Sequence, residues 1–148
     1  MARHARPGRV EAILLRPERR AAVLSVSGAD ILPDGLVGDH GREGKRAITL
    51  LQAEHLPVIA KLLDRESVLP DLLRRNIVVS RLNLLATRGR LVRLGDAVVE
   101  VTGPCPPCSR MEEYLGDGGY SAMRGHGGVY ARVEKPGRVG VGSMVRLD

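Results

Sequence analysis

The two cysteines of the chain, Cys105 and Cys108, stand in the stretch Gly103-Pro-Cys-Pro-Pro-Cys-Ser-Arg-Met-Glu-Glu113. Prolines 104, 106 and 107 fix φ at three positions and remove three backbone donors, so this loop holds its thiols in preset directions. Ser109 and Glu112 have the spacing of a capping box, which would open a short helix just beyond Cys108. The positive end of that helix would favour the Cys108 thiolate, the form that attacks sulfur and binds soft metals. Two readings compete with a nucleophile. A Cys-x-x-Cys pair can be half of a structural zinc site, with the other ligands drawn from His4, His40, His55 and His126, which are scattered. A thioredoxin-like redox pair would need a βαβ setting. Cysteines that only fill a core are more often separated and embedded in apolar sequence. A proline-locked, polar-flanked pair therefore reads best as reactive, with Cys108 as the main nucleophile and Cys105 beside it.

Three other clusters carry chemistry in their residue types. Gly38-Asp-His-Gly-Arg-Glu-Gly-Lys-Arg46 can offer backbone N–H groups together with Lys45 and Arg46 to an anion, or be a charged turn. Leu73-Arg-Arg-Asn-Ile77 places two guanidinium groups, Arg74 and Arg75, and the Asn76 amide at a strand start. That set suits a phosphate or carboxylate, and its plain alternative is a solvated strand end. Met123-Arg-Gly-His-Gly-Gly128 puts Arg124 and His126 in a glycine-loosened loop before a strand, although a lone histidine there is more often structural. No Ser/His/Asp order, phosphate-loop pattern or paired carboxylates stand out.

The elements that must position these groups are mostly short strands. Apolar, β-prone runs fall at residues 9–15, 21–26, 47–51, 76–80, 90–94, 97–102, 128–133 and 143–147. Arg16-Pro-Glu-Arg-Arg20 reads as a hairpin connection between the first two runs, Gly95-Asp96 as another, and Pro136-Gly137 as a turn joining the last two. Residues 53–63 repeat Leu56, Ile59, Ala60 and Leu63 at helical spacing, with Pro57 near enough to the start to be tolerated. Seven or eight strands and one clear helix make the fold mainly β, a barrel or sandwich rather than alternating βαβ units, with α+β as the alternative. No repeat or linker divides residues 1–148, so a single domain is expected.

Composition narrows the function classes. Phe and Trp are absent and there are three tyrosines, so the core must be aliphatic. The aromatic platform on which single-stranded nucleic acid stacks is missing. The first twenty residues hold six arginines against Glu11 and Glu18, four of the six net positive charges. The basic balance is thus local, which weakens the competing reading of a small nucleic-acid-binding barrel with a structural cysteine pair. No apolar run approaches the ~20 residues that span a bilayer, and the leading segment does not read as a signal peptide, so a cytoplasmic protein is expected.

Taken in order, Gly8-Arg-Val-Glu-Ala-Ile13, Gly38-Asp39-His40-Gly41, Arg46-Ala-Ile-Thr-Leu50, Leu73-Arg-Arg-Asn-Ile77, Leu94-Gly-Asp-Ala97, the Cys-Pro-Pro-Cys loop and Met123-Arg-Gly-His-Gly-Gly128 resemble the MOSC domain. That domain is named after the C-terminal part of molybdenum cofactor sulfurases, and the likeness is to its stand-alone bacterial form. The resemblance implies a largely β barrel with a few helices. Its relatives include the mitochondrial amidoxime-reducing components and bacterial hydroxylaminopurine-resistance proteins, which hold a molybdenum cofactor through a cysteine that matches Cys108. By that resemblance Cys108 would ligate molybdenum or carry a persulfide, with Cys105 aiding release of the sulfur. Arg46, Arg74 and Asn76 would match cofactor-cleft positions, joined by Arg124 and His126, while relatives often have Pro in place of Arg75. The implied partners are a pyridoxal-phosphate-dependent cysteine desulfurase as sulfur source, or a flavin or haem reductase. No pyridoxal phosphate site is evident in this chain. Cys108, Arg74, Asn76 and Arg46 are expected around one cleft of a closed barrel.

Overall fold

The computed structural model describes residues 4–108 and 110–148. Its strands are β1 (Gly8–Leu15), β2 (Leu24–Val26), β3 (Gly28–Leu32), β4 (Gly35–Leu36), β5 (Ile48–Gln52), β6 (Ile77–Ser80), β7 (Leu91–Leu94), β8 (Ala97–Pro104), β9 (Val129–Lys135), β10 (Gly137–Gly140) and β11 (Met144–Leu147). Its helices are α1 (His55–Leu62), α2 (Pro70–Leu73), α3 (Arg110–Leu115) and α4 (Gly119–Met123), with a 3-10 turn at Leu84–Thr87. Seven strands close into a barrel in the order β1-β11-β7-β8-β9-β5-β6 and back to β1. Closure leaves no edge within that ring. Strand β1 makes this possible because its first residues pair with β11 (Gly8 opposite Val145) while its later ones pair with β6 and β2.

Alternation explains which side chains fill the barrel. Ala97, Val99 and Val101 on β8, Val129 and Ala131 on β9, Ile48 and Leu50 on β5, and Ile77 and Val79 on β6 all point inward into one aliphatic core. Strands β5 and β6 are buried on both faces. Their outward residues Leu51 and Val78 meet Ile59, Leu73, Met111, Leu115 and Met123 from the four helices in a second cluster. That double burial is why these two strands read as unbroken apolar runs.

The predicted strands all appear, and α1 occupies residues inside the expected 53–63 helix. Ile59 is buried, and Leu56 and Leu63 pack partly buried against the second cluster. Three features differ from the expectation. Strands β3, β4 and β10 form a separate three-stranded sheet that the sequence reading omitted, because these strands are short and rich in glycine. Pro136-Gly137 is a corner rather than a reversing turn, since it passes the chain from β9 in the barrel to β10 in the small sheet. Gly137 sits there because a Cβ would come within 2.5 Å of the Asp96 backbone. Finally, β5 and β6 run parallel, joined through α1 and α2, so one βαβ crossover exists inside a fold otherwise built from antiparallel neighbours. Among the described residues no helix is long and apolar enough to cross a membrane.

Candidate functional site

The cysteine loop leaves the end of β8 and is pinned at once: Cys105 N donates to Gly128 O at 2.9 Å. This approach demands the glycines of the loop before β9. Gly128 has φ +91°, and a Cβ on it would stand 2.1 Å from Leu50 O, while a Cβ on Gly127 would press on Cys105 O at 3.0 Å and Arg75 Nη2 at 3.3 Å. Past the prolines, the Cys108 carbonyl accepts from Met111 N at 3.0 Å, in the first turn of α3, which begins at Arg110. The proposed capping residue Ser109 lies outside the described residues. Its expected partner Glu112 acts elsewhere: its carboxylate accepts from Gly118 N (3.2 Å) and Tyr120 N (2.8 Å), tying α3 to the start of α4.

The two cysteines, both free thiols, open into different recesses. Cys105 is 5% exposed and lines an apolar cavity of about 360 Å³ with Leu85, Pro106, Pro107, Arg124 and Gly127. Its Sγ lies 3.9 Å from Pro106 O. Burial raises the Tyr130 phenol above its ordinary pKa and the neighbouring Cys105 thiol adds to this, with Arg46 and Arg75 pulling the other way. Cys108 is exposed and lines a smaller cleft of about 150 Å³ with Arg16, Arg19, Arg20, Arg74, Arg75 and Arg110, beside His40 and Tyr114. No carboxylate lines that cleft.

Two of its arginines are committed to building it. Arg16, at the end of β1, grips Asp39 through Nη2 (2.9 Å) and Nε (3.1 Å), while its backbone N donates to the same carboxylate at 2.7 Å. The Asp39 side chain is fully buried in this pair. Arg74 has the left-handed conformation that ends α2, φ 55°, and its guanidinium donates to the carbonyls of Ala21 and Glu18. It therefore clasps the β1–β2 connection that carries Arg19 and Arg20. Arg75 is 7% exposed. Its Nε donates to Gly127 O at 2.7 Å, and its Nη2 is buried with no hydrogen-bond partner. Among the described residues Arg19, Arg20 and Arg110 form no ion pair.

The residues singled out by the sequence are thus divided. Cys108 and Arg74 share one cleft. Asn76 is not presented to it: fully buried, its Oδ1 accepts from Thr49 N (3.1 Å), Thr49 Oγ1 (3.2 Å) and Arg16 Nη2 (3.3 Å), while Nδ2 donates to Leu14 O (3.2 Å). Arg46 lies in another recess, stacked over the Tyr130 ring at 5.0 Å. Arg124 lines the Cys105 cavity. His126 instead meets His55 edge-on at 5.3 Å, its Nδ1 3.0 Å from Ala122 O. Among the described residues no three His, Cys, Asp or Glu gather as metal ligands. The sequence reading missed the Arg16–Asp39 pair, whose one signal was Asp39 within the Gly-Asp-His-Gly loop.

A model of the MOSC domain matches residues 21–146. The chain belongs to the MOSC domain family. Among solved structures, the YuaD protein from Bacillus subtilis is similar over 99% of this chain and 98% of its own, with TM-score 0.84 and 18% identity. YiiM from Geobacillus stearothermophilus covers 96% of this MOSC domain and 75% of its own chain, with TM-score 0.77 and 18% identity. YiiM from Escherichia coli covers 95% and 69%, with TM-score 0.72 and 21% identity. At such identities the likeness establishes a shared fold. A search of curated proteins returns no match. MOSC domains are generally associated with the molybdenum cofactor.

Proposed function

We propose that this MOSC domain carries sulfane sulfur as a persulfide on Cys108 for delivery to a metal–sulfur centre. The observation that carries the reading is an exposed thiol in a cleft lined by six arginines and no carboxylate. Guanidinium groups offset the charge of an attacking thiolate and of the persulfide anion it becomes. In the loading step the Cys108 thiolate attacks the terminal sulfur of a donor persulfide. A new S–S bond forms on Cys108, the donor's S–S bond breaks, and the donor leaves as its thiolate. Delivery runs the same exchange in reverse toward an acceptor. A pyridoxal-phosphate-dependent cysteine desulfurase would supply such a donor, with that cofactor in the partner. Cys105 faces the other cavity, so the transfer runs through Cys108 alone.

The donors also fit the two ends of a molybdopterin-type cofactor: Cys108 would hold the metal, and Arg19, Arg20 and Arg110 would hold the phosphate. A bound molybdenum centre supplies two-electron atom-transfer chemistry, for which a flavin or haem reductase would provide electrons. The cleft of about 150 Å³ is smaller than the roughly 300–1,000 Å³ of sites that enclose ligands of that size. The carrier reading is preferred for that reason.

Incubation with a cysteine desulfurase and cysteine, followed by intact-mass measurement, tests it. One added sulfur on wild type and on Cys105→Ser, and none on Cys108→Ser, is the expected result. Loading that survives the loss of Cys108 overturns it. Metal and pterin analysis of protein from a molybdate-fed host tests the cofactor reading separately.

A further inference from the structure

The sulfur-carrier reading leaves open what chemistry of donor the cleft itself selects. Its charge is lopsided: Arg16 is neutralised by Asp39, but Arg19, Arg20 and Arg110 have no ion-pair partner among the described residues. Arg75 also lines the cleft, but its guanidinium is turned toward Gly127 on the Cys105 side, where Nε donates to Gly127 O, so the accessible cations at Cys108 are Arg19, Arg20 and Arg110. Guanidinium forks match the oxygens of trigonal and tetrahedral oxyanions. The cleft, about 150 Å³, has room for a small inorganic anion.

We propose that Cys108 takes sulfane sulfur directly from thiosulfate, whose sulfonate oxygens are held by Arg19, Arg20 and Arg110 of this cleft. The proposal rests on the persulfide reading of Cys108. The Cys108 thiolate attacks the outer sulfur of thiosulfate. The Cys108 S–S bond forms, the S–S bond of thiosulfate breaks, and its electron pair leaves with sulfite. Charge balances at three negatives on each side, and no outside oxidant or reductant is needed. A thiolate meeting a dianion is repelled in water, so the reaction needs cations at the thiol. Cyanide then removes the sulfur as thiocyanate and regenerates the thiolate.

The test follows thiocyanate from thiosulfate and cyanide, with intact mass for the persulfide and an alkyl hydropersulfide, which has no sulfonate oxygens, as a parallel donor. Wild type should turn over thiosulfate and gain one sulfur on Cys108. Replacing the exposed pair, Arg19→Gln with Arg20→Gln, should raise KM for thiosulfate by about tenfold or more, the effect expected of lost charged hydrogen bonds, with hydropersulfide loading slowed by a much smaller factor. Arg110→Gln, checked for folding by circular dichroism, should weaken thiosulfate use in the same selective way. Loading by hydropersulfide but not thiosulfate overturns this proposal and leaves the carrier reading standing. Loading by neither overturns both. Thiosulfate turnover indifferent to all three arginines overturns the assignment to the cleft.

Discussion

At Asp39 two effects oppose each other. Burial alone would raise its carboxyl pKa, yet the hydrogen bonds and charge of Arg16 outweigh it and hold the group below its usual 3.8. A carboxyl depressed by folding contributes stability above its unfolded pKa and loses it as pH falls through the folded value. Asp39→Asn should therefore destabilise by about 3 kcal/mol at neutral pH, the scale for breaking a buried pair. The gap from wild type in urea midpoint should shrink below about pH 4, where the carboxyl begins to protonate in the unfolded chain, and go on shrinking as pH falls through its lower folded value. A gap that does not change with pH would mean the ion pair is not its source. The two thiols are unequal at the same scale for a simpler reason. Cys108 is exposed and Cys105 is 5% exposed, so limiting iodoacetamide should label Cys108 first, with single Cys→Ser variants assigning each rate. Equal rates, or a faster Cys105, would contradict the access that the fold gives them.

Between residue and molecule, the site depends on how two elements meet: the loop after β8 and the turn before β9. Gly128 joins them through its carbonyl, and neither its positive φ nor the 2.1 Å approach to Leu50 O tolerates a side chain. Gly128→Ala should cost roughly 3 kcal/mol, the upper range for a strained backbone position. It should also speed Cys105 labelling, because the loop loses its anchor. Unchanged stability by thermal melting would show that the turn can relax without cost. This level also separates what the sequence made legible from what it hid. The barrel strands declare themselves because one face is buried and the period of two is plain, as in Val99 and Val101. The small sheet is hidden because β10 buries a single apolar residue, Val139, between glycines. The cysteine loop is legible from its prolines. The Arg16–Asp39 and Arg16–Asn76 contacts span 23 and 60 residues of chain; the pairing of β1 with β6 brings Asn76 to Arg16, and the loop after β4, bonded through His40 N to Arg16 O, brings Asp39.

Over the whole molecule, the arginines of residues 16–20 change meaning once folded. In the sequence they are part of a basic leading segment. In the structure the β1–β2 hairpin carries them to Arg74 and Arg75, at the end of the crossover just before β6, and to Arg110 of α3. Charge that is diffuse along the chain is concentrated on one thiol, inside a recess whose protein walls limit screening. This predicts a charge-selective nucleophile. Cys108 should react with the anion iodoacetate faster, relative to neutral iodoacetamide, than a small free thiol does. The enhancement should be largest at low ionic strength and fall as salt rises toward 1 M, where the Debye length is about 3 Å. Working with Cys105→Ser isolates the one thiol, and Arg19→Gln with Arg20→Gln should lower the ratio, slowing iodoacetate much more than iodoacetamide. A ratio equal to that of the free thiol at every salt concentration would mean the arginines spend their charge on the fold alone and do not act on Cys108.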